Sequence, residues 1–132
     1  MREIKISFPK NQQVKTSWDN FEVITDQPVK YGGDGEYPEP FMYFLSSIAA
    51  CGGYYLLKFC EARHIDYNKI NMTMAYSWED KEKGNPCFEI KIELPEDFED
   101  KYISPLQKAV EQCTVKKAIQ ANPVFKVTTK KR

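Results

Sequence analysis

Apolar and polar residues alternate along both ends of this chain, and a long apolar run divides them. Ile4, Ile6 and Phe8 alternate with polar neighbours from Glu3 and stop at Pro9, which predicts a first strand. Val14–Trp18 and Phe21–Thr25 read as the arms of a hairpin, with Asp19-Asn20 as its two-residue turn. Asp26 to Glu39 reads as a loop, with glycines at 32, 33 and 35 and prolines at 28 and 38. A helix is predicted from Pro40 to about Arg63. Pro40 suits its first turn, where a missing N–H costs nothing. Apolar and small residues occupy every side of that helical wheel, so burial all round is expected.

Alternation returns with Ile70, Met72, Met74, Tyr76 and Trp78 on one face of a run from Lys69 to Glu79. Phe88, Ile90, Ile92 and Leu94 mirror it, which predicts a long antiparallel hairpin with a charged tip at Lys81–Pro86. Ser104-Pro105 reads as a cap and first turn of a second helix, with Leu106, Ala109, Val110 and Cys113 on one face. Val115 to Gln120 is a short helical segment, Asn122-Pro123 ends it, and Val124 to Thr128 reads as a last strand. Strands and helices are segregated, without strand–helix–strand periodicity, so the class is α+β.

At 132 residues the chain suits one domain, 1–132. Its central helix is more apolar than so short a chain covers easily, which points to a partner subunit. Nineteen basic and 19 acidic residues give no net charge, and thus no electrostatic footprint for nucleic acid or an anionic membrane. The long helix approaches a membrane span in length, but Ser46, Ser47, Gly52 and Gly53 interrupt it, and it reads as a core helix. No secretory signal is evident at Met1-Arg2-Glu3-Ile4, so a cytoplasmic protein is expected and its four cysteines read as thiols.

Those thiols are the main chemical candidates. Cys113 precedes a possible helix start at Thr114, which would favour its thiolate. Cys51 lies in an interior turn and would need a charge brought from elsewhere in the fold. Spacing alone leaves each cysteine open as a reactive thiol or a small apolar packing group. Cys60, on roughly the opposite helical face from Cys51, and Cys87 at a strand opening read as packing residues. With one histidine and no Cys-x-x-Cys pair, no metal site or cofactor is expected. His64, between Arg63 and Ile65, reads as a helix C-terminal residue. The glycine-rich loop lacks the residues of a phosphate-binding motif, and Glu36 and Glu39 read as solvated loop carboxylates.

Pro40-Phe-Met-Tyr-Phe-Leu-Ser-Ser-Ile-Ala-Ala-Cys51 resembles the Pro-x-x-Leu-Leu-Leu-Ala-Ala-Leu-Ala-Ala-Cys helix of OsmC-like proteins. That family includes osmotically inducible and organic hydroperoxide resistance proteins. Ala109-Val-Glu-Gln-Cys113-Thr-Val is similar to its second motif, Ala-x-x-x-Cys-Pro-Val. The order of elements agrees over about residues 20–130. The resemblance implies an intertwined homodimer with sheets enclosing two central helices. It also implies a peroxidatic Cys51, a resolving Cys113, organic hydroperoxides as substrate and a dithiol reductant. The family's peroxidases pair a glutamate near the helix start with an arginine, whereas the matching positions here are Phe41 and Met42. No arginine occurs between Arg2 and Arg63, leaving Glu39 and Lys30 as the nearest replacements. That departure, with the aromatic residues Phe41, Tyr43, Phe44, Tyr54 and Tyr55, keeps a second reading open. It is a non-peroxidase dimer that binds a small apolar or thiol-bearing ligand.

Overall fold

A computed structural model describes residues 2–78 and 84–132. Glu79 and the hairpin tip at Lys81–Lys83 lie outside the described residues. Among the described residues the architecture is α+β, with two antiparallel sheets and three α-helices. The chain divides into two compact units, Met1–Ser46 and Ser47–Arg132, and the division falls within the long helix α1, Pro40–Ala62.

The first unit is a three-stranded meander of β1 (Lys5–Ser7), β2 (Val14–Trp18) and β3 (Phe21–Thr25). The β2–β3 hairpin has the predicted bounds, with Trp18 opposite Phe21 and their rings 6.1 Å apart. Asp19 takes the left-handed conformation at φ 49°, which aspartate tolerates better than most residues.

The loop after β3 is built around Asp26, which is fully buried. Its carboxylate accepts from the backbone N–H groups of Gln27 at 2.8 Å, Glu36 at 3.0 Å and Asp34 at 3.4 Å. The N–H groups that a phosphate would need are thus committed to the chain's own carboxylate. Gly33 is required beside it, since a Cβ there would stand 1.9 Å from the Gln27 carbonyl oxygen. Burial pushes the Asp26 carboxyl up, but the N–H donors, helped by the Gln13 side chain, hold it below the usual aspartate range. A carboxylate depressed in the folded state stabilises fully above the ordinary pKa of about 3.9, and this is lost as pH falls through the lower folded value. Asp26→Asn is therefore expected to melt below wild type at neutral pH, with the gap closing under acid. Thermal midpoints across pH test this, and a gap independent of pH would contradict it.

In the second unit β4 (Asn71–Ser77) pairs with β5 (Cys87–Glu93), setting Met72 opposite Ile92, Met74 opposite Ile90 and Tyr76 opposite Phe88. The core joins Leu56, Phe59 and Cys60 of α1 to Leu106 and Val110 of α2 (Ile103–Val110). Met72, Ile90 and Ile92 pack against it from the sheet. Gly52 admits the sheet, since a Cβ there would lie 3.2 Å from Ile90 and 3.3 Å from Met72. The helix ends in a Schellman motif. His64 is left-handed at φ 55°, while Ile65 N–H donates to the Cys60 carbonyl at 2.9 Å and His64 N–H to Glu61 at 3.3 Å. The expected helix-end role of His64 is thus a backbone one. A seven-residue helix, α3 (Thr114–Gln120), follows Cys113.

Four expectations change. Within the second unit α1 buries a stripe, Ile48, Gly52, Leu56 and Phe59–Cys60, and leaves Ala50, Tyr54 and Lys58 exposed. Burial all round would need a second surface on that side. By length and composition alone α1 also suffices to cross a membrane. Ser104 lies inside α2 rather than capping it, because the turn at Asp100–Tyr102 leads directly into the helix. Val124–Thr128 forms no strand: Val124, Phe125 and Val127 are 81%, 87% and 92% exposed. A strand needs a neighbour for its backbone groups, and no described strand pairs with this segment. Cys87 is exposed rather than packed, on the opposite side of β5 from Phe88, while Cys60 is fully buried as expected.

Candidate active site

Cys51 and Cys113 are far apart in sequence, and the fold of the second unit brings their thiols near one another. Cys51 is half-buried on α1 and Cys113 is buried between α2 and α3. Cys113 caps α3, its Sγ accepting the Lys116 N–H at 3.4 Å. The backbone N–H groups of Val115 and Thr114, at the start of α3, also act on Cys51. Both thiols are free.

This corrects the expectation for the two cysteines. An interior position on α1 denies Cys51 the start of its own helix, but its side chain meets the start of α3. The Val115 N–H is the largest influence and lowers the Cys51 thiol below its ordinary value of 9.0. Burial opposes it, and the Cys113 thiol and Thr114 N–H add to the lowering. No charged side chain is among these influences. Cys113 moves the other way: burial and the neighbouring Cys51 raise it, against the N–H donors of Lys116 and Val115. The two thiols are thus shifted in opposite directions, Cys51 toward the thiolate and Cys113 away from it.

A hydroxyl pair flanks the thiols. Tyr55, one helical turn after Cys51, meets Thr114 with its Oη 2.9 Å from Thr114 Oγ1. Its ring meets that of Tyr54 edge-on at 5.5 Å. From sequence, Tyr55 reads only as part of an aromatic wall. The spacing Cys51/Tyr55 and the residue after Cys113 were the available signals, but nothing local in the sequence joins them.

A cavity of about 610 Å³ opens beside Cys113. Phe88, Ile90 and Ile92 of β5, Leu106 of α2 and Ile119 of α3 give it apolar walls, with Lys116 also in the lining. Among the described residues, no group of three or more His, Cys, Asp or Glu side chains is placed to hold a metal ion. Arg63 lies at the far end of α1, its guanidinium 3.7 Å over the Phe59 ring and bonded to the Phe59 carbonyl at 3.2 Å. Lys30, in the first unit, lies 4.9 Å over the ring of Tyr31.

The family model described as OsmC-like protein matches residues 33–128, which include both cysteines and the helix that carries Cys51.

The chain belongs to the OsmC-like family.

Solved structures agree in fold. A Psychrobacter arcticus protein, described as an osmotic stress induced and detoxification response protein, is 21% identical with a TM-score of 0.71, over 89% of this chain and 88% of that one. An organic hydroperoxide resistance protein OsmC from Legionella pneumophila is 22% identical with a TM-score of 0.57, over 92% and 90%. A Vibrio cholerae protein described as an organic hydroperoxide resistance protein, with captopril in one active site, is 20% identical with a TM-score of 0.59, over 92% and 85%. At these identities the likeness is one of fold. Comparison with curated proteins gave no match. This OsmC-like chain has Thr114 where the family's second motif has proline, and so has an N–H and a hydroxyl that proline lacks.

Proposed function

We propose that this OsmC-like protein is a thiol-dependent peroxidase that reduces organic hydroperoxides in an antioxidant stress response. The observation that carries the reading is that an OsmC-like fold brings Cys51 near Cys113 at the start of α3, and their opposite pKa shifts support it.

The Cys51 thiolate attacks the distal oxygen of the hydroperoxide. The O–O bond breaks, the alkoxide leaves and takes up a proton as the alcohol, and Cys51 becomes a sulfenic acid. Cys113 then attacks the Cys51 sulfur. An S–S bond forms, the S–O bond breaks and water leaves, the Cys113 proton going to the departing oxygen. A dithiol reductant opens the disulfide by two exchange steps and is itself oxidised to a disulfide, which returns both protein thiols.

The apolar cavity beside Cys113 supports organic substrates over hydrogen peroxide, as does the description of the Legionella relative. Burial of a cumyl or tert-butyl group in an apolar site is worth about 1.5–3 kcal/mol, so an advantage of at least about tenfold in kcat/KM is expected. Initial rates with cumene hydroperoxide and hydrogen peroxide, with a dithiol reductant, test this. Equal rates would contradict it.

The same cavity supports the second reading, a non-peroxidase dimer that binds a small apolar or thiol-bearing ligand. A thermal shift with such ligands, in a protein that consumes no peroxide, would select it; an unresponsive protein would remove it.

A homodimer belongs to either reading. Ala50, Tyr54 and Lys58 on α1 and the apolar tail at Val124, Phe125 and Val127 are exposed in the single chain. Sedimentation velocity would then give twice the 15.4 kDa chain mass, and a monomer would end the proposal. The reduced thiols suit the cytoplasm, where such pairs cycle.

A further inference from the structure

The donors to Cys51 belong to α3, a short helix with weak support of its own. It has seven residues and none of them is buried. Helices of that length are marginal unless something holds them, because few backbone bonds repay the ordered turn. The donors to Cys51 are the N–H groups of Thr114 and Val115 at its start, and α1 carries the acceptor. Where the start of α3 sits against α1 thus decides whether those N–H groups reach the sulfur. The Tyr55–Thr114 hydrogen bond, 2.9 Å between hydroxyl oxygens, joins the two helices at that point.

We infer that Tyr55 is a positioning residue for the Cys51 thiol, holding Thr114 through its side-chain hydroxyl so that the first N–H groups of α3 point at the sulfur. This rests on the reading of Cys51 as the reacting thiol.

Two features of the chain favour it. Tyr55 follows Cys51 by four residues on the same helix, so both project toward the same neighbour. Thr114 supplies both the hydroxyl of the tie and one of the N–H groups that act on Cys51, at this one position. Cys113 is the titratable side chain among the influences on the Cys51 sulfur, while Lys116 and Glu111 line the cavity beside Cys113. The tie thus supplies by geometry what an arginine would supply by charge. Fixed N–H dipoles need no counter-ion but must be held close, since their effect falls off within a helical turn.

The test is the rate of Cys51 alkylation by iodoacetamide across pH, read by peptide mass in the full-length reduced protein, alongside cumene hydroperoxide turnover. Tyr55→Phe and Thr114→Val remove the two ends of the tie and leave every backbone N–H in place. Each is expected to move the alkylation midpoint of Cys51 to higher pH. Each should also slow peroxide reaction near neutral pH by about fivefold, the worth of one hydrogen bond. The double variant should be no worse than either single one, because one bond is lost in all three. Thr114→Ser keeps hydroxyl and N–H and should restore the wild-type midpoint. Unmoved midpoints in Tyr55→Phe and Thr114→Val, with the wild-type thiol acidic and active, would overturn the inference alone. Effects that add in the double variant would do the same. An ordinary midpoint and no peroxide turnover in the wild type would overturn the reading of the site, and the inference with it.

Discussion

Cys51→Ser is expected to reduce hydroperoxide turnover to background, a loss on the order of a thousandfold or more, as for removal of any nucleophile. Serine keeps the size and the hydrogen-bond acceptor, and the Val115 and Thr114 N–H groups still have a partner. Those donors lower a thiol that begins near 9.0, but a hydroxyl begins far above the range that two N–H dipoles can bridge. Stability should therefore change little while chemistry is lost. Cys113→Ser separates the two roles. It should permit one fast oxidation of Cys51 and then stall at the sulfenic acid, since no neighbouring thiol displaces water. Stopped-flow consumption of cumene hydroperoxide measures both. Full turnover in Cys51→Ser would remove the thiol from the mechanism.

Leu106→Ala is expected to cost about 2–5 kcal/mol of unfolding free energy, the range for truncating a buried leucine. Leu106 is 1% exposed at the centre of the core formed with Leu56, Phe59, Cys60 and Val110. It also borders the cavity beside Cys113, so truncation enlarges an existing void rather than one that neighbours can fill. The upper half of that range follows, since the cost rises with the void that remains. Urea titration should show a lower midpoint at unchanged slope. A cost under about 1 kcal/mol would mean that α2 does not seat on α1 as described. The same variant should slow cumene hydroperoxide more than hydrogen peroxide, because only the larger substrate uses the apolar wall.

Much of the local structure is legible in the residue pattern. The β2–β3 hairpin is bounded to the residue, because alternation and a turn pair that tolerates positive φ specify it without help from distant segments. Pro40 likewise marks the first residue of α1, and the β4–β5 pairing follows from two matched runs of alternation. What depends on neighbours is not legible. Val124–Thr128 has strand-forming residues, but a strand exists only where another backbone pairs with it. The wheel of α1 shows which residues are apolar, not which side meets the sheet, and its exposed side is uncovered in a single chain. Ser104 resembles a cap in isolation, yet the turn at Asp100–Tyr102 starts α2 before it.

The same division runs through the site. Cys51 and Cys113 can be singled out from sequence because thiols in two motifs are conspicuous. What acts on Cys51 cannot, because its donors are backbone N–H groups more than 60 residues away, and a backbone group has no signature of its own. An arginine or a substitute cation would act through a side chain, which a sequence displays. Tyr55 and Thr114 were invisible for the same reason: each is ordinary alone and acquires a role through one 2.9 Å contact.

The most direct test of the central claim is the fate of the thiols after one equivalent of tert-butyl hydroperoxide is added to the reduced protein. Peptide mapping after rapid acid quench should find Cys51 joined to Cys113, with loss of two hydrogens, and Cys60 and Cys87 still alkylatable once the chain is denatured. Cys51 and Cys113 recovered as free thiols, or oxidation confined to the exposed Cys87, would contradict the account.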